Sequence, residues 1–487
     1  MLRAASEALL ILLNPFHLGM LTIGVLVGIV VGILPGLGGV VGMAILIPFV
    51  WDMEPHAALA LFMGVTAVLR TVDTIPAVLF AVPGTAGSQA TIMDGYPMAR
   101  RGEAGRALGA GFTASMIGGV FGAAALSVSL PIARPLILLL GSPELFMFTL
   151  LGISMVGVLS GRRPLKGIIA GLFGVLLATV GGAPAGYGFR YTFDSPYLFE
   201  GFPLVVVAIG LFALPEITDL VIKGTTISDV PSLGKGLFQG VKDAFNNMSI
   251  IIRCSALGTY IGLLPGLGAA PANWIAYGHV IQTCRNRKTF GKGDVRGVIG
   301  PESANDASQG GSLIPTILFG IPGSAAMAVF LFALLILGIE PGPSMVTKHL
   351  SLAFTMVWTL ALGNIIASGI CLALTRPIAR ITTIRIHYWV PFVVMVVILG
   401  AFQCTRHWGD LIALLGFGLL GWFMKRTRWP RPPLLIGFVL SIIAEKYLWI
   451  SVLRYGADWL GRPVVIIIGL FTVFSIYMGY KWQQKKP

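Results

Sequence analysis

Charge is scarce in this chain. Of its 487 residues only 11% are Asp, Glu, Lys or Arg, while 56% are hydrophobic. A soluble globular domain carries roughly 25% charge. With a mean hydropathy of +0.86, that shortage excludes a soluble core with one anchor and predicts a polytopic membrane protein. Cysteine is scarce too. Cys254, Cys284, Cys371 and Cys404 are scattered, with no Cys-x-x-Cys or Cys/His spacing. They read as small apolar fillers and give no basis for a disulfide framework or a metal site. The six histidines, His17, His56, His279, His349, His387 and His407, are dispersed near apparent helix ends and read as interfacial. A P-loop lysine motif, a GxSxG elbow and an HExxH pair are all missing. ATP-driven transport would need another subunit, and coupling to an ion gradient is the simpler reading. The N-terminus lacks a basic region followed by a cleavable signal. Leu9 to Leu13, before Asn14-Pro15, is too short to span and reads as interfacial.

The charge that is present has a sign and a place. The net charge is +14. Lys and Arg gather in short loops between apolar runs, which is the positive-inside pattern and not a nucleic-acid surface. Loops around Arg100–Arg106, Arg162–Lys166, Arg285–Arg296, Arg376–Arg385, Lys425–Arg431 and the tail from Lys481 are assigned to the cytoplasm. Trp389, Trp408, Trp429 and Trp482 near loop edges read as an interfacial belt. The fold class expected is all-α, with about 10–12 transmembrane segments. The divisions expected are an interfacial segment at 1–16, a first membrane repeat with flanking helices at 17–222, and an amphipathic cytoplasmic linker at 223–246. A second repeat at 247–374 and C-terminal transmembrane helices at 375–487 follow.

Glycine and proline are abundant, and they fall in a repeated order. Gly32-Ile33-Leu34-Pro35-Gly36-Leu37-Gly38-Gly39 returns 230 residues later as Gly262-Leu263-Leu264-Pro265-Gly266-Leu267-Gly268-Ala269. The run from Ile75-Pro76 to Pro83-Gly84-Thr85 returns 239 residues later, from Ile314-Pro315 to Pro322-Gly323-Ser324. Pro followed by spaced glycines cannot continue a helix. Inside a membrane-length apolar run such a break is tolerated only where it is buried in protein or lines a wet cavity. Parity of the loops makes 17–50 and 247–283 helical hairpins tipped at Pro35 and Pro265. It makes 57–92 and 311–340 broken crossings, and relates the halves as inverted repeats. Paired breaks of this kind point to a transporter binding site.

Each candidate group carries a plain structural reading beside the functional one. Helix ends at the tips suit a carboxylate or a cation, or simply form tight turns. Thr85 and Ser324 follow Pro-Gly in both copies; their hydroxyls can meet a ligand or cap a helix, and the two roles can coexist. Ser88 and Gln89 add polar atoms to the first copy. Pro301 to Gly311, with Ser303, Asn305 and Asp306, is either a set of oxygen donors for a cation or a solvated loop with an N-cap. Arg70 and Asp73, three residues apart within an apolar run, are either a functional pair or an ion pair that neutralises itself.

Together the motifs carry a family resemblance. Pro35-Gly36-Leu37-Gly38, Pro83-Gly84-Thr85, Asp94-Gly95-Tyr96-Pro97-Met98-Ala99-Arg100 and Gly105-Arg106-Ala107-Leu108-Gly109 resemble the large membrane subunit of tripartite tricarboxylate transporters, the TctA family. Leu264-Pro265-Gly266, Phe290-Gly291-Lys292-Gly293, Pro301-Glu302-Ser303-Ala304-Asn305, Gly320-Ile321-Pro322-Gly323-Ser324 and Pro341-Gly342-Pro343 extend the likeness over about residues 17 to 480. The resemblance implies a bacterial inner-membrane secondary transporter and no enzyme. It implies no cofactor beyond Na⁺ or H⁺ as coupling ion. Its partners would be a small four-helix membrane subunit and a periplasmic solute-binding protein, and its substrates di- or tricarboxylates. Substrate contacts then fall to Pro35, Gly36, Gly38, Gly84, Thr85, Ser88, Pro265, Gly266, Gly268, Gly323 and Ser324, with Arg70 as an added carboxylate partner. Ion contacts fall to Asp73, Ser303, Asn305 and Asp306. The chain departs from the family with Asn305-Asp306 in place of Asn-Asn, and with charged Val65–Thr74 in place of a Tyr- and Gly-rich stretch. A passive anion channel and a membrane-embedded enzyme are the alternatives. The second predicts a cluster of catalytic carboxylates or histidines at a membrane face, which the sequence does not supply.

Overall fold

A computed structural model describes residues 1–33, 38–50, 53–159, 164–183, 186, 188–223, 236–265, 268–381 and 386–484. The chain opens with α1 (Leu2–Leu12), α2 (Pro15–Ile33), α3 (Gly38–Val50), α4 (Pro55–Val72) and α5 (Thr74–Phe80), then α6 (Ile92–Arg100) and the 35-residue α7 (Ala104–Leu138). It continues with α8 (Ser142–Leu159), α9 (Pro164–Ala178), α10 (Leu204–Lys223) and α11 (Leu237–Asn246). The second half begins with α12 (Met248–Leu263), α13 (Ala269–Thr283), α14 (Arg296–Phe319), α15 (Ala325–Ile336) and α16 (Leu350–Ala373). It closes with α17 (Thr375–Ile381), α18 (Ile386–Phe402), α19 (Trp408–Arg426), α20 (Arg431–Tyr455) and α21 (Pro463–Gln484). Gly181–Gly182 and Phe189–Arg190 form the two-residue strands of one antiparallel ladder.

Among the described residues six helical stretches are long and apolar enough to cross a membrane, and six shorter apolar helices accompany them. The fold is therefore an all-α polytopic membrane architecture. Its helices meet through small residues, as expected where lipid supplies no hydrophobic drive between helices. A Cβ on Gly174 would lie 2.0 Å from Leu434 O, and one on Gly437 would lie 2.1 Å from Gly171 O. Those contacts seat α20 directly on α9. Charges outside the apolar runs are tied down: Arg462 meets Glu144 at 3.0 Å, Arg190 meets Glu445 at 2.8 Å, and Glu216 takes Lys425 at 2.7 Å and Arg431 at 2.8 Å. The N-terminal α1 lies on α16, where the Trp358 indole donates to Ala5 O at 2.9 Å.

The centre is α14. Every residue from Gly297 to Leu318 is buried. Two glycine pairs, each four residues apart, hold it. Gly118 and Gly122 of α7 lie against Ser303 and Ala307; Gly258 and Gly262 of α12 lie against Ala304 and Ser308. This corrects the loop expected up to residue 310 and the crossing expected to start at 311. Pro301 to Gly311 is helix, because its Gly, Ala and Ser residues let neighbouring backbones approach on two sides while its larger polar residues share the third.

The same packing recurs in the first half. A Cβ on Gly28 of α2 would lie 2.8 Å from Val65 O, and one on Gly258 of α12 would lie 2.3 Å from Ala304 O. Gly28 and Gly258 are 230 residues apart; Val65 and Ala304 are 239 apart. These are the two offsets of the repeated motifs. The contact of α2 with α4 thus has a counterpart in that of α12 with α14, which makes Arg70 and Gln309 equivalent positions.

Candidate functional site

Both broken segments end a helix in the same way. After α5, Ala81 is left-handed (φ 55, ψ 27), and the amides of Ala81 and Val82 turn back to Pro76 O. After α14, Gly320 is left-handed (φ 68, ψ 21), and the amides of Gly320 and Ile321 turn back to Pro315 O. The chain then folds against its own helix. A Cβ on Gly84 would lie 2.7 Å from Asp73 Cβ, and one on Gly323 would lie 2.6 Å from Ser312 Cβ. Asp73 and Ser312 are again 239 residues apart. Thr85 Oγ1 accepts from the Gly87 amide at 3.1 Å and donates to Asp73 Oδ2. Ser324 Oγ accepts from the Met327 amide at 3.3 Å at the start of α15. The capping reading of these hydroxyls is therefore present in both copies, and Thr85 also holds the carboxylate. Ser88 is buried and donates to Thr85 O at 3.2 Å.

The tips and the breaks converge. A Cβ on Gly87 would lie 2.3 Å from Asn305 Oδ1 and 2.9 Å from Ala269 Cβ. One on Gly268 (φ 67) would lie 4.0 Å from Ser324 Cβ, and one on Gly39 would lie 3.8 Å from Ala326 Cβ. The second tip thus borders both breaks, and the first tip borders the second break. Pro265 ends the described part of one arm, and Gly38 opens α3. Pro35, Gly36 and Gly266 lie outside the described residues.

The polar residues of α14 face this junction. At about 100° per residue, Glu302, Asn305, Asp306, Gln309, Ser312 and Thr316 occupy one third of the helix circumference. Ser303 does not join them. It lies on the face seated against Gly118, and its hydroxyl returns to Gly300 O at 2.9 Å. Arg70 Nη1 donates to Asn305 O at 2.5 Å and to Ser308 Oγ. Both of these bonds use Nη1 and reach across to α14, while Asp73 Oδ2 accepts from Thr85. Thr71 Oγ1 lies 3.4 Å from Asp306 Oδ1. Glu302 collects three hydroxyls: Thr74 at 2.7 Å, Ser115 at 3.4 Å, and Thr91.

Among the described residues, Asp73 Oδ1, Asn305 Oδ1, Asp306 Oδ2 and both amide atoms of Gln309 are buried without a hydrogen-bond partner. Unpaired buried polar atoms are costly, and the gathering of four of these five on the α14 stripe marks a candidate place for a ligand. No three His, Cys, Asp or Glu side chains among the described residues converge closely enough to hold a metal ion. A cleft of about 780 Å³ lies elsewhere, between the 196–205 segment, α15 and α20. Its walls include the apolar Phe332, Leu335, Phe438 and Ile442, and its Lys446 is held by Glu340 at 2.5 Å.

A second cluster joins the halves beside α14. The buried Asp94 of α6 accepts from the amides of Gly293 and Asp294 at 2.8 and 2.9 Å and from the Tyr277 hydroxyl at 2.9 Å. Arg101 donates to Lys292 O and Gly293 O at 2.7 and 2.6 Å. The D-G-Y-P-M-A-R motif and the Phe290–Gly293 motif are therefore two sides of one clasp.

The model of the tripartite tricarboxylate transporter TctA family matches residues 18–436. The chain belongs to that family. A relative in Agrobacterium vitis, named as an uncharacterized 52.8 kDa protein in the TAR-I ttuC′ 3′ region, is 30% identical over 436 residues, covering 90% of this chain and 87% of its own. A second from the same organism, named for the TAR-II ttuC′ 3′ region, is 32% identical over 191 residues, covering 39% of this chain and 79% of its own. No solved structure matches this TctA chain. Sequence reasoning passed over Glu302, Thr74, Thr91, Ser115 and Gln309. A helical wheel drawn through Pro301 to Gly311 would have grouped Glu302 and Gln309 with Asn305 and Asp306.

Proposed function

We propose that this TctA-family chain is the translocation subunit of a secondary transporter that imports di- or tricarboxylates with Na⁺ or H⁺ across a bacterial inner membrane. It works with a small four-helix membrane subunit and a periplasmic solute-binding protein that delivers the ligand. The observation that carries this reading is the buried stripe where Arg70 faces α14 between two broken segments. The Nε and Nη2 edge of Arg70 suits a carboxylate, which a planar guanidinium holds with two parallel bonds. The first amides of α15, at Ala325 and Ala326, add donors for an anion. Asp73 Oδ1, Asn305 Oδ1 and Asp306 Oδ2 suit a small monovalent cation or, at the carboxylates, a proton. Inverted repeats, with one part moving against the rest, give the alternating access this requires.

The test is uptake of labelled di- and tricarboxylates into proteoliposomes holding this chain and its small subunit, with the binding protein outside. Accumulation that needs both the cation gradient and the binding protein is the expected result. Equilibration that ignores both identifies a passive anion channel and removes the coupling roles given to Asp73, Asn305 and Asp306.

A further inference from the structure

We propose that Gln309 reads a hydroxyl group on the carboxylate ligand, so that the site distinguishes hydroxycarboxylates from the same acids lacking the hydroxyl. The inference rests on the reading of the α14 stripe as the transport site.

Gln309 stands midway along the stripe. One turn before it, Asn305 meets the first broken segment at Gly87; one turn after it, Ser312 meets the second at Gly323. A ligand lying between the two breaks therefore passes Gln309. Its side chain is fully buried, and both Nε2 and Oε1 lack a hydrogen-bond partner among the described residues. An amide offers two donors and an acceptor together. A bare carboxylate satisfies only the donors, and it would place its negative oxygens against Oε1. A hydroxyl next to a carboxylate satisfies both: its O–H donates to Oε1, while the neighbouring carboxylate accepts from Nε2.

The equivalent position in the first repeat supports a division of labour. Arg70 occupies there the place that Gln309 holds here, and it supplies the positive charge. Gln309 supplies a neutral group that an ion pair cannot replace. A site built to bond a substrate hydroxyl rejects the analogue without it, because buried polar atoms are then left unpaired.

The experiment measures binding to the purified full chain by ligand-induced shift of its melting temperature. The probes are malate and succinate, which differ by one hydroxyl. The wild type is expected to bind malate at least about tenfold more tightly than succinate. Gln309→Met, close in volume but unable to bond, is expected to bring that ratio below about threefold, with malate losing more affinity than succinate. Gln309→Asn keeps the amide, and its partial selectivity separates loss of reading from loss of folding. Selectivity retained in a folded Gln309→Met protein overturns the assignment, as does a wild type that binds both probes equally; in either case the carboxylate function stands. A wild type that binds neither probe overturns this inference, and the uptake test with tricarboxylates then decides the carboxylate reading separately.

Discussion

Arg70 and Asn305 hold each other across the two halves of the chain. The arginine Nη1 donates to Asn305 O at 2.5 Å, and the Asn305 side-chain amide donates back to Arg70 O at 3.3 Å. The bond pair fixes a cation in the membrane interior through a neighbour's backbone and leaves one edge of the guanidinium for another partner.

Arg70→Gln gives the first repeat the residue that the second carries at the equivalent position. Charged hydrogen bonds contribute about 1.5–3 kcal/mol. Carboxylate uptake is therefore expected to fall at least tenfold, with membrane levels close to wild type. Uptake normalised to immunoblotted protein decides this, and unchanged uptake removes Arg70 from the site.

Glu302 is the shared acceptor of Thr74, Thr91 and Ser115. Glu302→Ala strands three buried hydroxyls, each worth about 1–3 kcal/mol when left unpaired. Glu302→Gln keeps an acceptor in place. The alanine variant is expected to melt well below the glutamine variant in detergent; equal melting points would mean that the hydroxyls find other partners.

The Asp94 clasp predicts where the chain opens first. Asp94→Ala frees the Gly293 and Asp294 amides, so trypsin is expected to cut faster at Arg285, Arg287, Lys288 and Lys292. Acid loosens the same loop. Burial pushes the Asp294 carboxyl up, but hydrogen bonds from Arg296 and Thr289 outweigh it and hold it below its ordinary value. Its stabilisation is complete above the unfolded value and is lost as pH falls through the lower folded one. Hydrogen exchange at residues 286–296, corrected for intrinsic rate, should therefore rise only in that acidic range.

Gly118→Ala and Gly262→Ala each place a Cβ 2.2 Å from a carbonyl oxygen of α14. Overpacking of this kind costs about 1–3 kcal/mol. Gly278→Ala, with nothing within 4 Å, is the control and should hold or raise the melting temperature. A control that falls as far as the other two would show that the contacts around α14 are not the cause.

Ala81 adopts a left-handed conformation that glycine takes at the equivalent position in the second copy. Relieving that strain is worth about 1–2 kcal/mol, less the backbone entropy that glycine adds to the unfolded chain. Ala81→Gly is therefore expected to raise the melting temperature, and a decrease would show that the methyl group packs usefully.

The helix breaks were legible in the sequence because Pro and Gly act locally and their effect survives without tertiary knowledge. Pro83-Gly84 and Pro322-Gly323 interrupt the helices where expected, α5 ending at Phe80 and α14 at Phe319. The helix through Pro301 to Gly311 was hidden because Glu302, Asn305, Asp306 and Gln309 depress its hydropathy to that of a loop. Only the buried partners on α4, α5 and α7 explain why such residues are tolerated there. The clasp of Asp94 with Gly293 was unreadable for another reason: its ends are 199 residues apart, and nothing in either motif names the other.

The glycine contacts of α14 also set what can move. With carbonyl oxygens from Ser303, Ala307, Ala304 and Ser308 resting in notches on two neighbours, α14 behaves as a keyed shaft. Slipping it by one residue would drive side chains into backbone. Displacement must therefore carry α7, α12 and α14 as one block.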